Sequence, residues 1–488
     1  MNAFLDVRRY AMIDIRGKKI LIITHQLSET GAPFALLEFM EAAIYQGADL
    51  QVISMSDGVL SEELKKRNIP YLIKSQFMGE EGKEFVKRTQ QFDLVVVNTL
   101  LTYEVIHLLK NTFVPVIWWI HEGENYFNYF KDVLPDFKNI GDNIFIYAVS
   151  PLVAQIFQKQ FDIDVEILSF GITEEVRETS FVKHDKIKFL TAGTYSYLKG
   201  QDILIEAIQD LDKEILNQCE FHFCGSEDVK DEEIFNKITE AAKQNYPIEI
   251  LPFMKKQEFL QYLETMDCLI VPSRLDTVSS VAVEMLMKEG VCICSDTCGI
   301  SSYMEKQKIG LIFKNENVKD LADKIKEFYL KKEFYEGQRA GAKKVFQTYF
   351  SIDVFYKKVK HILETTLAMN QNYYKTLECI NQDRWDEALT TAVFMLERPF
   401  CDKVAVLLAY INFYFGDKDS ALSMIQRGME YNHKNYELYF MLGNYYRPFD
   451  TDKALFYYKQ AYCLCEDVML AEDRLLIWEA IEQIGSAE

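Results

Sequence analysis

Short apolar runs alternate with longer amphipathic stretches along the first part of the chain. Such runs, bounded by polar or turn residues, are typical of buried strands. The predicted strands are Ile20–Thr24, Leu50–Ser54, Leu94–Asn98, Val114–Ile120, Ile144–Val149 and Val165–Leu168, with helices such as Pro33–Gln46 and Tyr103–Lys110 between them. This alternation predicts a parallel sheet with helices on both faces.

A second unit of the same kind starts near Ile187. Its predicted strands are Ile187–Thr191, Glu220–Cys224, Ile248–Leu251, Cys268–Val271, Val291–Ser295 and Gly310–Phe313, and its helices include Gln201–Leu211, Asp231–Gln244, Lys256–Thr265 and Val318–Tyr329. A polar stretch without periodicity, Gly171–Lys186, joins the two units. We therefore expect an α/β protein with two Rossmann-like, doubly wound domains of similar size.

Unusual residues follow several of these strands. Gly31 and Ala32 follow the first strand of the first unit, and His121 follows a later one; Lys199 and Asp276 follow the first and fourth strands of the second unit. Ligands of doubly wound sheets bind beyond the carboxyl ends of the strands. We therefore expect the two sheets to face each other across a cleft that these residues line.

The pattern beyond Thr366 is helical throughout. Tetrapeptides that start with Asp and have Ala in third place recur 33 residues apart, at 386–389, 419–422 and 452–455. This period resembles that of tetratricopeptide repeats, in which a small residue lets paired helices approach closely. The resemblance implies a concave face that binds a protein partner, or dimerisation; the alternative is a plain helical cap on the sheet domains.

The charge of the chain restricts its partners. The 488 residues are 49% apolar and carry a net charge of −20, with a pI near 5.0. Nucleic-acid binding is not expected, because phosphate backbones require clustered Lys and Arg. The ten cysteines show no metal-ligand spacing and the chain has no apolar segment long enough for a signal peptide or membrane span, so we expect a soluble, cytoplasmic protein. The basic residues between Arg8 and Lys19 form either a solvated arm or a peripheral contact with an anionic membrane.

The stretch Val271–Ile300 carries the most specific chemistry. Asp276 lies in the turn after a predicted strand, and Glu284 lies eight residues later, within the following helix. Backbone N–H groups from Val278 to Val281 start that helix and favour phosphate. A ligand with both a diphosphate and hydroxyl groups fits this arrangement, whereas acidic residues near helix starts are also common as plain caps.

The two carboxylates resemble the donor-binding motif of retaining GT-B glycosyltransferases of family four, in which two Glu stand eight residues apart in Glu-x-Phe-Gly-Leu-x-x-x-Glu. The resemblance implies that Glu284 holds the nucleotide ribose. Asp276 takes the place of the first Glu, which holds the transferred sugar. The Phe-Gly-Leu triplet is replaced by Val278, Ser279 and Ser280.

The resemblance also gives roles to two places in the first unit. Gly31 and Ala32 are expected beside the acceptor and the donor phosphates, although a tight turn explains them equally well without it. His121 is expected beside the reacting sugar, although a lone His at a strand end is commonly structural. The roles of Glu122 and Glu124 stay open.

In the second unit, Gly193, Lys199 and Gly200 match a family pattern of Gly-Arg followed by Lys-Gly. The resemblance implies that the Arg and the Lys of this pattern bind the diphosphate. Thr194 stands where an Arg is usual. A charge-assisted contact is worth roughly 1.5–3 kcal/mol. Because this Arg is missing, binding of the diphosphate would depend more on Lys199 and on the backbone amides at the start of the helix. Arg274 is placed to pair with either Asp276 or phosphate.

The resemblance covers roughly Lys18 to Leu363 and ends with a helix, Phe350–Leu363, that crosses back to the first domain with Ser351 as its N-cap. The expected domains are 1–175 on the acceptor side, 176–348 for the nucleotide sugar, a crossover helix at 349–368 and helical repeats at 369–488. The expected catalytic residues are His121, Lys199 and Asp276, and the expected donor-binding residues are Gly31, Ala32, Gly193, Thr194, Lys199, Gly225, Ser279, Ser280 and Glu284, with Gly225 beside the base.

The sequence as a whole predicts a retaining glycosyltransferase that moves a sugar from a nucleotide-sugar donor to a glycan precursor or a protein. Neither a cofactor nor a metal is expected, because no Asp-x-Asp pair is apparent. The alternative is a GT-B scaffold that has lost activity and holds a protein partner, which the substitutions at Thr194, Asp276 and Ser279 favour. A GT-B sugar epimerase is a third reading.

Overall fold

The computed structural model describes residues 14–77, 79–110, 112, 114–141, 143–174, 184–225, 231–396, 402–465 and 471–485. Within these ranges the chain forms two parallel sheets flanked by helices and a C-terminal helical region. This is the predicted α/β architecture of two Rossmann-like domains with an all-α extension.

The first sheet has seven parallel strands in the order β3-β2-β1-β4-β5-β6-β7. The strands are β1 Lys19–Thr24, β2 Asp49–Ser54, β3 Tyr71–Ile73, β4 Leu94–Asn98, β5 Val116–Ile120, β6 Ile144–Ala148 and β7 Glu166–Ile167. The sequence missed only β3, a three-residue edge strand whose Leu72 and Ile73 are 41% and 38% exposed. An edge strand of this length has no buried apolar run to reveal it.

The helices of the first domain lie between its strands. They are α1 Gly31–Tyr45, α2 Leu60–Lys66, α3 Gly79–Thr89, α4 Tyr103–Leu109, α5 Glu124–Phe130 and α6 Pro151–Phe161. The start of α6 shows how the sequence sets such boundaries: the Ser150 hydroxyl accepts a hydrogen bond from the N–H of Val153, and Pro151 occupies the first helical position.

The second sheet has six parallel strands in the order β10-β9-β8-β11-β12-β13. The strands are β8 Ile187–Ala192, β9 Cys219–Cys224, β10 Ile248–Leu251, β11 Cys268–Val271, β12 Val291–Ser295 and β13 Leu311–Phe313. The helices are α7 Gln201–Gln209, α8 Lys213–Gln218, α9 Glu232–Lys243, α10 Lys256–Leu263, α11 Ser280–Met287, α12 Ser301–Gln307, α13 Val318–Leu330, α14 Lys332–Glu336 and α15 Arg339–Tyr349.

A single long helix, α16 (Ile352–Asn381), connects the sheet domains to the helical region. It packs against α1 of the first domain, where Phe355 stacks on Trp119 with ring centroids 6.1 Å apart. The predicted crossover helix is therefore present, but it continues through position 368, where the sequence placed a domain boundary. Ser351 occupies the N-cap position without making the expected capping bond, and its hydroxyl donates to the Gln347 carbonyl at 3.2 Å.

The helical region consists of α17 Trp385–Val393, α18 Asp402–Tyr414, α19 Lys418–Tyr431, α20 Tyr436–Tyr446, α21 Thr451–Leu464 and α22 Ala471–Gly485. The closest pairs are α18 with α19 and α20 with α21. The three alanines of the recurring tetrapeptides, Ala388, Ala421 and Ala454, are fully buried. Each small side chain therefore lies at a helix contact, as the periodicity predicted, while membership of the tetratricopeptide family stays a prediction.

The two sheet domains are in direct contact. The Ser169 hydroxyl of the first domain lies 3.0 Å from the Tyr303 hydroxyl of the second. A side chain added at Gly123 would lie 2.7 Å from the Leu275 side chain, so the backbone after β5 touches the loop after β11. Across the described ranges, no helix has the length and apolar character needed to cross a bilayer.

Candidate functional site

The order of the strands fixes where each sheet can bind a ligand. Strand order reverses between β1 and β4 in the first sheet and between β8 and β11 in the second. Loops that leave neighbouring strands at such a reversal run to opposite faces and leave a crevice beyond the carboxyl ends. The predicted residues Gly31, Ala32, Gly193, Lys199 and Asp276 all follow strands at these two reversals.

Lys199, Asp276 and Ser279 form the centre of the site in the second domain. The Lys199 ammonium donates to Oδ2 of Asp276 at 2.6 Å, and the backbone N–H of Ser279 donates to Oδ1 at 2.8 Å. Burial lowers the pKa of Lys199, but the adjacent Asp276 carboxylate outweighs burial and the net pKa is raised. Lys199 is therefore a fixed positive charge beside the start of α11.

Ser279 has the backbone conformation that a glycine adopts most easily. Its φ is 66° and its ψ is 94°, outside the regions favoured by residues with a Cβ. In the resembled motif this position is Gly. Ser279 keeps the turn because its backbone N–H donates a hydrogen bond to Asp276. The positive φ strains the backbone of a residue that has a Cβ.

Glu284 lies in α11 on the same side of the second domain. It is 3% exposed and forms an ion pair with Lys256, the first residue of α10. Burial raises the pKa of Glu284 more than the positive charge of Lys256 lowers it. The carboxylate is thus a buried acceptor with a cationic partner, Lys256.

The loop after β8 brings Lys199 to Asp276. Gly193 has a φ of 143°, and the Lys199 side chain passes 3.8 Å from where a Gly193 Cβ would lie. Gly200 has a φ of 66°, and a Cβ there would collide with the Pro272 carbonyl oxygen. The Thr194 carbonyl accepts a hydrogen bond from the Gln201 side chain at 3.0 Å, which closes the loop on α7.

Gly225 lies at the end of β9, where its backbone contacts the ring of Tyr195. A Cβ at this position would lie 2.0 Å from that ring. The contact makes glycine necessary at 225 and places an aromatic face next to the loop after β8. The predicted role beside a nucleotide base stays a prediction.

Gly31 and Ala32 start α1 at the reversal of the first sheet. A Cβ at Gly31 would have no heavy atom within 4 Å among the described residues, so the backbone there is open to a ligand. The Ala32 carbonyl accepts a weak bond from the Asn98 side chain at 3.4 Å. Asn98 ends β4, so this contact ties together the two loops that leave the reversal.

His121 and His25 are both neutral at physiological pH. Burial, helped by nearby His25, lowers the pKa of His121 to about 3, and burial lowers the pKa of His25 to about 4. Nδ1 of His25 lies 3.0 Å from the Thr99 hydroxyl. The buried Nε2 of His121 has no hydrogen-bond partner among the described residues. A buried ring nitrogen of this kind is available to a ligand.

Glu122 braces the loops around His121. Its carboxylate accepts hydrogen bonds from the backbone N–H of Leu100 at 2.7 Å and of His121 at 3.1 Å. Burial raises the pKa of Glu122 to about 7, although these two bonds oppose the shift. The carboxylate thereby holds the segment after β4, including Thr99 with its φ of 76°, against the end of β5.

The contact between Gly123 and Leu275 joins the two halves of the site. Gly123 lies two residues after His121, and Leu275 directly precedes Asp276. His121 from the first domain and Asp276 from the second therefore flank the same interface. The structure brings the three predicted catalytic residues to facing sheet edges, as expected for a cleft.

Two segments of the chain match known family models. Residues 172–345 match Glycosyl transferases group 1, and residues 16–147 match Glycosyl-transferase family 4. One match lies on each sheet domain. The chain is a glycosyltransferase of the GT-B fold. No curated protein sequence matches it.

Solved glycosyltransferases share the fold at low sequence identity. A glycosyltransferase from Rickettsia africae is 15% identical, with a TM-score of 0.59 over 72% of this chain and 99% of that one. Anabaena HepE, solved in complex with UDP, is 15% identical, with a TM-score of 0.59 over 71% of this chain and 100% of that one. Sucrose-phosphate synthase from Thermosynechococcus elongatus is 14% identical, with a TM-score of 0.56 over 72% of this chain and 99% of that one.

One of the two pairings expected for Arg274 in this glycosyltransferase is wrong. Arg274 does not pair with Asp276. Its guanidinium donates to both carboxylate oxygens of Asp202, at 2.8 and 2.7 Å, and to Glu316 at 2.8 Å. It also bonds the Tyr197 carbonyl at 2.8 Å. Arg274 therefore anchors the loop that carries Lys199, with four of its five N–H groups in these hydrogen bonds.

Other residues near the candidate site of the glycosyltransferase were not predicted from the sequence. Lys256 pairs with Glu284 from 28 residues away, a separation with no local pattern. Thr99 could have been predicted from the sequence, because it directly follows β4 at the reversal of the first sheet. In the part of the chain that the structure describes, no group of three or more His, Cys, Asp or Glu side chains could hold a metal ion.

Proposed function

We propose that this glycosyltransferase transfers a sugar from a nucleotide-sugar donor to an acceptor hydroxyl, with retention of configuration and without a metal ion. The observation that carries the proposal is the joining of Lys199, Asp276 and Ser279 at the start of α11, with Glu284 in the same helix. Support comes from Anabaena HepE, which shares the fold and has been solved with UDP and with UDP-glucose.

Lys199 supplies the positive charge that a diphosphate leaving group needs. That charge is paired with the Asp276 carboxylate at 2.6 Å. A bound diphosphate would compete for the ammonium and would lie close to the first amides of α11, where the helix dipole also favours negative charge. The proposed role of Lys199 is thus to stabilise charge that grows as the bond between sugar and phosphate breaks.

The two carboxylates are suited to hydroxyl groups. Asp276 and Glu284 are both largely buried, and each already has a cationic partner. In the proposed complex Glu284 accepts from the ribose and Asp276 accepts from the transferred sugar. We extend retention to this chain because these two positions reproduce the carboxylate spacing of the resembled retaining family.

His121 is proposed to face the transferred sugar from the first domain. Its imidazole is neutral, so it offers a hydrogen bond without adding a charge that would oppose positive character on the sugar carbon. In the reaction the bond from the sugar carbon to the donor phosphate breaks and a bond to the acceptor oxygen forms. The acceptor proton leaves with the nucleotide diphosphate or is passed to solvent.

The proposed acceptor is a glycan precursor or a protein, and the alternative function is a scaffold without activity. Thr194 in the place of an Arg favours that alternative, because the diphosphate would then meet one cation fewer. The ion pair between Lys199 and Asp276 favours the active enzyme, because it holds the Lys199 cation beside the start of α11.

The test is a panel of UDP-, GDP-, ADP- and TDP-sugars incubated with the purified chain, with release of nucleotide diphosphate as the readout. An active enzyme releases the diphosphate slowly by hydrolysis and faster with acceptor. A scaffold releases none with any donor. A thermal-shift screen run alongside identifies donors that bind, because a ligand of the native state raises the unfolding temperature.

A further inference from the structure

The helical region contains a groove of about 470 Å³ that is lined by α18, α20 and α22. These helices alternate along the chain with α17, α19 and α21, which carry the buried alanines Ala388, Ala421 and Ala454. The helices α18 and α20 therefore pack against these partners with one face and line the groove with another. A groove of this size lies within the range of sites that bind a ligand.

The walls of the groove are aromatic. Its lining includes Tyr410 and Phe413 of α18, Tyr436 and Phe440 of α20, and Leu476 of α22. Tyr410 is 51% exposed and Leu476 is 57% exposed. Large apolar side chains concentrated in a concave surface mark an interaction site more often than chance exposure does.

Two carboxylates lie among these aromatic residues. Glu437 follows Tyr436 on α20, and Asp473 on α22 accepts a hydrogen bond from the Tyr436 hydroxyl at 2.7 Å. Burial raises the pKa of Glu437, and the negative charges of Asp473 and Asp402 add to the rise while Lys403 opposes it. None of the described residues that line the groove is Lys or Arg.

We propose that this groove binds an extended segment of a protein partner in which an Arg or Lys side chain stands between apolar residues. The cationic group would lie between the carboxylates of Glu437 and Asp473 and against aromatic faces, where cation–π attraction adds to charge pairing. The apolar neighbours of that cation would cover Tyr410 and Leu476. Phosphate-bearing ligands are disfavoured here, since both carboxylates repel them.

The net charge of the whole chain acts in the same direction. At −20, the protein attracts a basic partner from a distance and repels an acidic one. The proposal concerns the helical region alone and does not depend on the donor chemistry at the sheet domains. If the groove binds no peptide, the proposed transferase activity is unaffected. If the chain turns over no donor, the proposed peptide binding is equally unaffected.

The test is selection of displayed random decapeptides on the full-length chain, followed by fluorescence anisotropy with the enriched peptides. We expect enriched peptides to share an Arg or Lys flanked by Leu, Phe, Tyr or Met. Replacement of that cation by Gln should weaken binding at least about tenfold, as should Glu437→Gln or Asp473→Asn in the protein. Binding should also weaken as salt concentration rises.

Asp386→Asn is the matched control, because Asp386 is an exposed carboxylate on α17, outside the groove. It should leave peptide affinity unchanged, and all three variants should keep the unfolding temperature within a few degrees of the parent chain. The proposal is overturned if no peptide is enriched, if enriched peptides lack a cation, or if folded Glu437→Gln and Asp473→Asn variants bind them as the parent does. It is likewise overturned if Asp386→Asn weakens binding as much as they do.

Discussion

Removal of the Lys199 cation is the most direct test of the site. In Lys199→Ala, Asp276 loses its ion pair but keeps the hydrogen bond from the Ser279 N–H at 2.8 Å. The Lys199 side chain is 35% exposed and that of Asp276 is 13% exposed. Because the Lys199 side chain is still about one-third exposed and Asp276 keeps its bond from Ser279, loss of the pair should cost about 1 kcal/mol of stability, at the upper end for exposed ion pairs, and the variant should fold.

The effect on turnover should be much larger than the effect on stability. Lys199 is the cation proposed to meet the charge that develops on the diphosphate. Loss of one such group typically lowers kcat on the order of 100-fold, which corresponds to about 2.7 kcal/mol of transition-state stabilisation. We therefore expect a drop in kcat of about two orders of magnitude, with an unfolding temperature close to that of the parent chain.

The chain offers a matched control at the opposite end of the same strand. Lys332 pairs with Asp267 at 2.8 Å, with side chains 25% and 6% exposed. Asp267 directly precedes β11, whereas Asp276 follows it. Lys332→Ala breaks a comparable Lys–Asp pair away from the carboxyl edge of the sheet, so it should cost stability while leaving kcat within about twofold of the parent value.

The assay is steady-state release of nucleotide diphosphate at saturating donor, with circular dichroism to verify folding. If Lys199→Ala keeps kcat within threefold of the parent chain, the assigned site is wrong. Equal losses of kcat in the Lys199 and Lys332 variants would also refute the reasoning, since they would show that any broken ion pair in this domain inactivates the enzyme.

Three further substitutions test neighbouring parts of the site. Glu284→Gln should raise the donor KM at least about tenfold, because a neutral amide replaces the proposed ribose acceptor; donor titrations measure this. Ser279→Gly should raise the free energy of unfolding by about 1 kcal/mol in urea titrations, because a φ of 66° strains a residue with a Cβ. Glu122→Gln should change how stability depends on pH. Its pKa of about 7 lies above the unfolded value, so the stability that the protonated Glu122 contributes is lost as pH rises through 7, and the Gln variant should gain about 2 kcal/mol relative to the parent between pH 5 and pH 8.

Each of these has its own control. Glu264→Gln breaks the Glu264–Lys288 ion pair near the end of α11 and should leave the donor KM unchanged. Ser279→Val should lower stability; a Gly variant less stable than the parent would contradict the strain argument. For Glu122→Gln, a stability difference that stays constant from pH 5 to pH 8 would show that Glu122 keeps an ordinary pKa in the native state.

Local pattern was enough to find most of the architecture. The strands at Leu94–Asn98 and Cys268–Val271 are continuous apolar runs, and parallel strands buried on both faces must have such runs. The same logic predicted that Gly31, Lys199 and Asp276 would lie on one edge of their sheets, because each follows a strand. The buried alanines of the helical region followed from periodicity alone.

Contacts between distant residues were beyond that logic. Arg274 lies two residues from Asp276 in sequence but pairs with Asp202, because the turn after β11 directs its side chain toward α7. Glu284 acquires its partner Lys256 only when α10 and α11 are brought together, and the brace from Glu122 to Leu100 needs β4 and β5 side by side.

The sequence by itself determined two doubly wound domains, a helical extension and the set of loops at which a ligand must bind, because hydrophobic periodicity and chain order dictate which residues end each strand. Tertiary structure alone decided which acidic and basic side chains form ion pairs. It also buried His121 and Glu122 enough to shift their pKa values, and it brought Gly123 against Leu275 across the domain interface. Those properties depend on distances and solvent exclusion between segments far apart in sequence, and no local pattern encodes them.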